Sequence, residues 1–115
     1  MVPLTKMIST ISRNELIERF DQGSDFTLVE TLPAAAYHQA RLPGAINMPP
    51  DQIAELAATL LPDKSIEIVV YGASLSCLDS QNAARELEAL GYANVRNYAG
   101  GKKDWFDAGM RIEVI

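Results

Sequence analysis

Two hydrophobic periods alternate along the chain: short β-branched runs, and between them stretches with apolar residues three and four apart. The clearest run is Ile66 to Tyr71, where Ile66, Ile68, Val69, Val70 and Tyr71 give the near-continuous apolarity of a strand covered on both faces. Phe26 to Glu30 predicts a second strand, Gly44 to Met48 a short one and Asn94 to Tyr98 the last of the core. Lys6 to Ile11 gives a weak first strand. The intervening stretches read as helices. Ser12 with Glu15 three residues on forms a capping box before a helix that carries Leu16, Ile17 and Phe20 on one face and ends near Gly23. A short helix over Ala34 to Ala40 follows Pro33, and Asp51 is placed to cap one that turns Ile53, Leu56, Leu60 and Leu61 inward. A helix starting near Asp79 or Ser80 presents Ala83, Ala84, Leu87 and Leu90, and Gly91 closes it. After Gly100 and Gly101 a last short helix holds Trp105 and Phe106, read as core anchors.

Strands alternating with helices predict the α/β class: a mostly parallel sheet of about five strands with helices on both faces. No segment repeats and no linker-like stretch divides the 115 residues, so residues 1–115 are read as a single domain. In open sheets of this kind ligands bind beyond the carboxyl ends of the strands. The polar loop after Tyr71 is therefore the first place to look for chemistry.

Composition narrows the function. The chain is 48% hydrophobic and 22% charged with a formal net charge of −5, and its basic residues are scattered apart from Lys102 and Lys103. Phosphate neutralisation needs a basic stripe, so no nucleic-acid partner is expected. No apolar run approaches the roughly 20 residues that span a bilayer, and Met1 to Ser12 lacks a secretory pattern, so no membrane partner is expected. A single cysteine cannot form an internal disulfide; a free thiol suits a reducing compartment, and the location read from it is cytoplasmic. No His, Cys, Asp and Glu cluster has metal-ligand spacing, and no glycine-rich loop has a dinucleotide or P-loop pattern, so neither metal nor cofactor is expected. The single histidine, His38, is placed on the short helix facing solvent.

That one cysteine, Cys77, falls in the loop after Tyr71, just ahead of a helix start. Free backbone N–H groups and the positive end of a helix dipole favour an anionic sulfur there. The small residues Gly72, Ala73, Ser74 and Ser76 can turn amides inward as an anion-binding nest, a cradle suited to a persulfide. The opposing reading makes Cys77 a small buried hydrophobe, as free cysteines often are. Asp79 opposes a neighbouring thiolate unless its oxygens cap the helix, which is the role read for it.

Four pieces in order resemble the rhodanese-like family from about Ile8 to Val114. They are Leu28-Val29-Glu30 with Tyr37 and Arg41-Leu42-Pro43-Gly44-Ala45-Ile46-Asn47; Ile68-Val69-Val70-Tyr71; Gly91-Tyr92 with Asn94-Val95; and Gly100-Gly101 with Trp105 and Ala108-Gly109. The resemblance implies the family's three-layer fold and a sulfurtransferase that moves sulfane sulfur through a cysteine persulfide. The family's usual nucleophile directly follows the strand tyrosine, where this chain has Gly72; Cys77 matches a later cysteine that some members carry five residues on. Arg41 stands where the first signature has His, Leu32 where an Arg often follows the second strand, and residues 72 to 82 contain no Arg or Lys. The implied catalytic residue is Cys77, in a substrate-binding loop of Gly72, Ala73, Ser74, Leu75, Ser76, Leu78, Asp79 and Ser80. Lys102 and Lys103 are the candidate anion contacts, against the reading of a solvated pair. With no cation in the loop, thiosulfate, a dianion, is expected to be a poor donor. The expected partners are a small sulfur donor or a protein thiol, and the expected assembly a monomer or weak homodimer. The alternative is a catalytically inactive binding or regulatory module, which Gly72 supports. A related phosphatase loop needs Cys, five residues, then Arg; here the first arginine after Cys77 is Arg85, so that reading fails on spacing.

Overall fold

In the computed structural model, which describes residues 8–114, the elements follow the alternation of the sequence. They are β1 (Ser9–Thr10), α1 (Arg13–Asp21), β2 (Phe26–Glu30), α2 (Ala34–Gln39) and β3 (Ile46–Asn47). Then come α3 (Ile53–Leu60), β4 (Glu67–Tyr71), α4 (Asp79–Ala89), β5 (Val95–Tyr98) and α5 (Gly101–Asp107). The five strands form one parallel sheet in the order β1-β5-β4-β2-β3, with the apolar β4 at its centre. Side chains alternate faces along a strand. Ile68 and Val70 thus join Ile53 and Ala57 from α3, Leu61 at its C-cap, and Ala83, Ala84 and Leu87 from α4 on one side. Val69 and Tyr71 join Leu16 from α1 and Trp105 from α5 on the other. Two cores flank one sheet, the expected three-layer α/β architecture. The register places Glu30, Tyr71 and Tyr98 abreast at the carboxyl edge, and the loop after Tyr71 leaves from the middle of that edge.

Several boundaries and faces differ from the sequence reading, each for a spatial reason. Of the strand predicted over Lys6 to Ile11, the described residues form Ser9–Thr10, and Lys6 and Met7 lie outside them. The α3 cap is Gln52, not Asp51, and it makes no side-chain capping bond. Leu60 is exposed because Ile53, Ala57 and Leu61 hold the inner stripe, one and two turns apart. Leu90 caps the end of α4 and is likewise exposed. Trp105 is the anchor of α5, its indole N–H donating to the Arg111 carbonyl at 2.8 Å and its ring packed near Phe20 and Tyr98. Phe106, one residue and about 100° further round the helix, is 58% exposed and anchors nothing in the core. No helix among the described residues is long and apolar enough to cross a membrane.

The Ser12 capping box forms as read. Ser12 Oγ accepts from the Glu15 amide and the Glu15 carboxylate accepts from the Ser12 amide, both at 3.1 Å. That amide, with Arg96 at 3.1 Å, holds the Glu15 carboxyl below its ordinary pKa. Asp63 is lowered by bonds from the Ser65 hydroxyl and amide. A folded carboxyl that is more acidic than its unfolded counterpart contributes stability above the ordinary carboxylate range and loses it as pH falls through the folded value. Thermal midpoints measured from pH 6 down to 3 are therefore expected to decline, and Glu15→Gln to decline less steeply; parallel curves for the two proteins would remove Glu15 from the account.

Candidate functional site

The site is built where β4 ends. Gly72 and Ala73 continue from Tyr71, and their carbonyls accept from the backbone amides of Lys102 and Lys103 at 3.0 and 2.9 Å. The first turn of α5 thereby pins the start of the loop. The approach requires Gly101: at φ +66° it sits so close that a Cβ there would lie 2.6 Å from the Gly72 oxygen. Further along, the Cys77 amide closes a turn onto the Ser74 carbonyl at 3.0 Å, and the Ser74 and Ser76 hydroxyls share a bond of 3.1 Å. The helix bond from Asn82 to the Leu78 carbonyl starts α4.

The Cys77 thiol is half-buried, neither a core hydrophobe nor fully exposed. Its Sγ lies 3.2 Å from the point where a Cβ on Gly72 would stand, with the Ser80 hydroxyl 3.7 Å from the same point. The loop thus carries the sulfur back to the mouth of β4, beside the very residue that follows the strand tyrosine. Ser80 is buried, whereas Leu75 and Leu78 on either side of the cysteine are 78% and 61% exposed. Asp79 is the first residue of α4 and Leu78 its cap; no side-chain capping bond forms, which corrects the cap role read for Asp79. An open cleft of about 390 Å³ borders the loop, lined by Ser74, Leu75, Ser76, Gly100, Lys103, Asp104 and Asp107.

Each of the two candidate anion contacts is paired with a carboxylate, and Lys103, which is exposed, also lines the cleft beside the loop. The Lys102 ammonium is bound by the Glu30 carboxylate and the Ala36 carbonyl, both at 2.9 Å. Lys103 pairs with Asp107 at 2.7 Å, one turn along its own helix. His38 is exposed, as read. Arg41 stacks over the Tyr37 ring, donates to the Tyr37 carbonyl and reaches Glu113, so it ties the chain's end to α2 instead of reaching the loop.

Glu30 and Tyr71, both buried, form with the half-buried Lys102 a connected group that residue-by-residue reading passed over. Glu30 is fully buried and accepts from the Tyr71 hydroxyl at 2.8 Å and from Lys102. Burial and the Glu30 charge push the Tyr71 hydroxyl far above its ordinary pKa, which keeps it a neutral donor. Behind it, burial and the bond to Asp104 raise Tyr98, whose hydroxyl donates to that carboxylate while Arg13 binds the other oxygen. The signal for the first group was a lone acid closing an apolar strand: a carboxylate in such a place needs a cation.

Comparison with known proteins places this geometry in a family. Residues 12–108 match the Rhodanese-like domain. The chain is 32% identical over 103 residues to the HTH-type transcriptional regulator Rv0324 of Mycobacterium tuberculosis, covering 90% of this chain and 44% of that protein. It is 40% identical over 68 residues to the thiosulfate sulfurtransferase PspE of Escherichia coli, covering 59% of this chain and 62% of the relative. The chain therefore spans less than two thirds of either curated relative. Among solved structures, the rhodanese-like domain of the Anabaena Alr3790 protein superposes with a TM-score of 0.83 at 27% identity, over 95% of this chain and 81% of that one. With the matched segment running from the cap of α1 to the end of α5, the chain belongs to the rhodanese-like domain family.

Proposed function

We propose that the protein is a sulfurtransferase that carries sulfane sulfur as a persulfide on Cys77 and works poorly with thiosulfate. One observation carries this reading: the Cys77 sulfur stands against Gly72 at the mouth of the central strand, half-buried, in a loop of small residues. The reaction is a pair of displacements. The Cys77 thiolate attacks the outer sulfur of a donor, whose S–S bond breaks and whose leaving group departs with the electron pair. An acceptor thiolate then attacks the terminal sulfur, and Cys77 leaves as thiolate. Backbone amides of the loop are the candidate donors to the charged sulfur, with the Ser74, Ser76 and Ser80 hydroxyls as further candidates.

Donor choice follows from charge. Both lysines near the loop are paired with carboxylates, and residues 72 to 82 carry no cation. A dianion gains little here, whereas a persulfide on a small or protein thiol brings less charge to desolvate. Exposed Leu75 and Leu78 fit such a thiol carrier better than an inorganic anion.

The test is persulfide labelling after exposure to a persulfide donor or to thiosulfate, followed by transfer to an acceptor thiol. The wild type is expected to label and turn over with the persulfide donor, to turn over at least about tenfold more slowly with thiosulfate, and Cys77→Ser to fall to the protein-free background. Equal labelling of Cys77→Ser removes the carrier role. A wild type that labels without passing sulfur on supports the alternative of a non-catalytic binding or regulatory module; the Mycobacterium relative is named a transcriptional regulator.

A further inference from the structure

We propose that the Glu30–Lys102 ion pair is the positioning device of the Cys77 loop, with Lys102 acting through its own backbone and not on the substrate. The inference rests on the reading of Cys77 as the reactive sulfur. Lys102 makes two sets of contacts in opposite directions. Its ammonium is fixed at the end of β2 and on α2, by Glu30 Oε2 and the Ala36 carbonyl at 2.9 Å each. Its amide, 3.0 Å from the Gly72 carbonyl, holds the first residue of the loop, and the next amide holds Ala73. Gly72 in turn faces the Cys77 sulfur, which lies 3.2 Å from the point where a Cβ on that residue would stand. The path from Glu30 to the thiol thus runs from carboxylate to ammonium and from amide to carbonyl, and ends at Gly72, whose open Cβ position the sulfur faces at 3.2 Å.

An ion pair with one partner buried is an inefficient source of net stability, because desolvation offsets most of its attraction. A pair of apolar side chains would serve the fold as well. What the pair supplies is a fixed distance and direction, since Lys102 is bound at two acceptors from separate elements, and Glu30 is also held by Tyr71. Loop residues 73 to 76 make few other anchoring bonds, so the first turn of α5 sets where the loop starts and hence where the sulfur stands. Lys102 is a positioning residue.

The experiment compares Lys102→Gln, Lys102→Arg and Glu30→Gln with Leu61→Ala, a core truncation on the far face of the sheet. Two rates are read under strongly native conditions: alkylation of Cys77 by iodoacetamide, and sulfur transfer from a persulfide donor. Loosening the loop is expected to raise the alkylation rate of Lys102→Gln and Glu30→Gln at least about fivefold through local opening. Their kcat for transfer falls by a comparable factor at unchanged KM, and Lys102→Arg restores both. A general loss of stability moves neither rate under these conditions, so Leu61→Ala stays at wild-type values even with an equal loss in thermal midpoint. Should Lys102→Gln fail to fold, Glu30→Gln carries the test. Alkylation within twofold of wild type in both glutamine variants, or an equal rise in Leu61→Ala, overturns the proposal. A wild type that moves no sulfur while the variants alkylate faster overturns the transfer reading and leaves the positioning role standing.

Discussion

Gly101→Ala is expected to lower stability by about 3 kcal/mol, or roughly 15 °C in thermal midpoint for a domain of this size. Two costs add. A residue with a Cβ in the left-handed region loses roughly 1 kcal/mol relative to glycine, and Gly101 sits at φ +66°. The larger cost is contact. The new methyl would lie 2.6 Å from the Gly72 oxygen and 3.0 Å from both the Ala73 carbonyl carbon and the Ser74 nitrogen. All three are backbone atoms, which cannot swing aside as the end of a side chain can, and forced overpacking of this sort costs about 1–3 kcal/mol. Relief must come from parting α5 from the loop, which breaks the amide bonds from Lys102 and Lys103. The control is Gly23→Ala, at φ +62° with nothing within 4 Å of the added carbon, for which only the conformational cost applies. Thermal melts of the two variants separate the contributions; equal losses would show that close approach at Gly101 contributes nothing.

Gly72→Cys is expected to switch off Cys77 under mild oxidation. The added Cβ would stand 3.7 Å from the Cys77 Cβ, within the roughly 3.5–4.5 Å that a disulfide spans. Its distance of 3.2 Å from the present position of Sγ is tight, so the Cys77 side chain must give by a few tenths of an ångström, and the two sulfurs are brought within reach of each other. Mass spectrometry should show the loss of two hydrogens on oxidation, complete loss of alkylation at both thiols, and recovery with a reductant. Two alkylated thiols in the oxidised sample would mean that the loop does not hold Cys77 where the structure places it. The double variant Gly72→Cys with Cys77→Ser moves the thiol to the residue directly after the strand tyrosine. If Cys77 carries the persulfide as proposed, this variant is expected to regain the labelling lost in Cys77→Ser, because the two positions lie close together at the end of β4.

These expectations follow from the meeting of three segments that are remote in sequence: the loop after Tyr71, the first turn of α5 and the end of β2. Each segment alone is unremarkable. Gly100 and Gly101 read as a turn, Glu30 as the end of a strand, and Lys102 as half of a basic pair. Brought together, they give the loop a floor, a clamp and a charge anchor.

What the sequence determined is what neighbouring residues decide among themselves. The apolar run ending at Tyr71 specified the central strand, because a strand with no polar face must be covered on both sides. Ser12 and Glu15 specified the start of α1, because a capping box needs only residues three apart. Successive strand–helix units specified a parallel sheet, and the same local motifs carried the family. The tertiary structure decided what depends on how those units pack. The predicted helix stripes included Leu60, Leu90 and Phe106, yet the face that each helix turns to the sheet left them outside. Lys102 lies 72 residues from its partner Glu30, and no local rule points one to the other. The closeness of the Cys77 sulfur to Gly72 is likewise set by a loop whose path is fixed by α5, from the far end of the chain. Local preferences fix the elements and their order; the relative placement of side chains from distant elements is fixed only when those elements share one core.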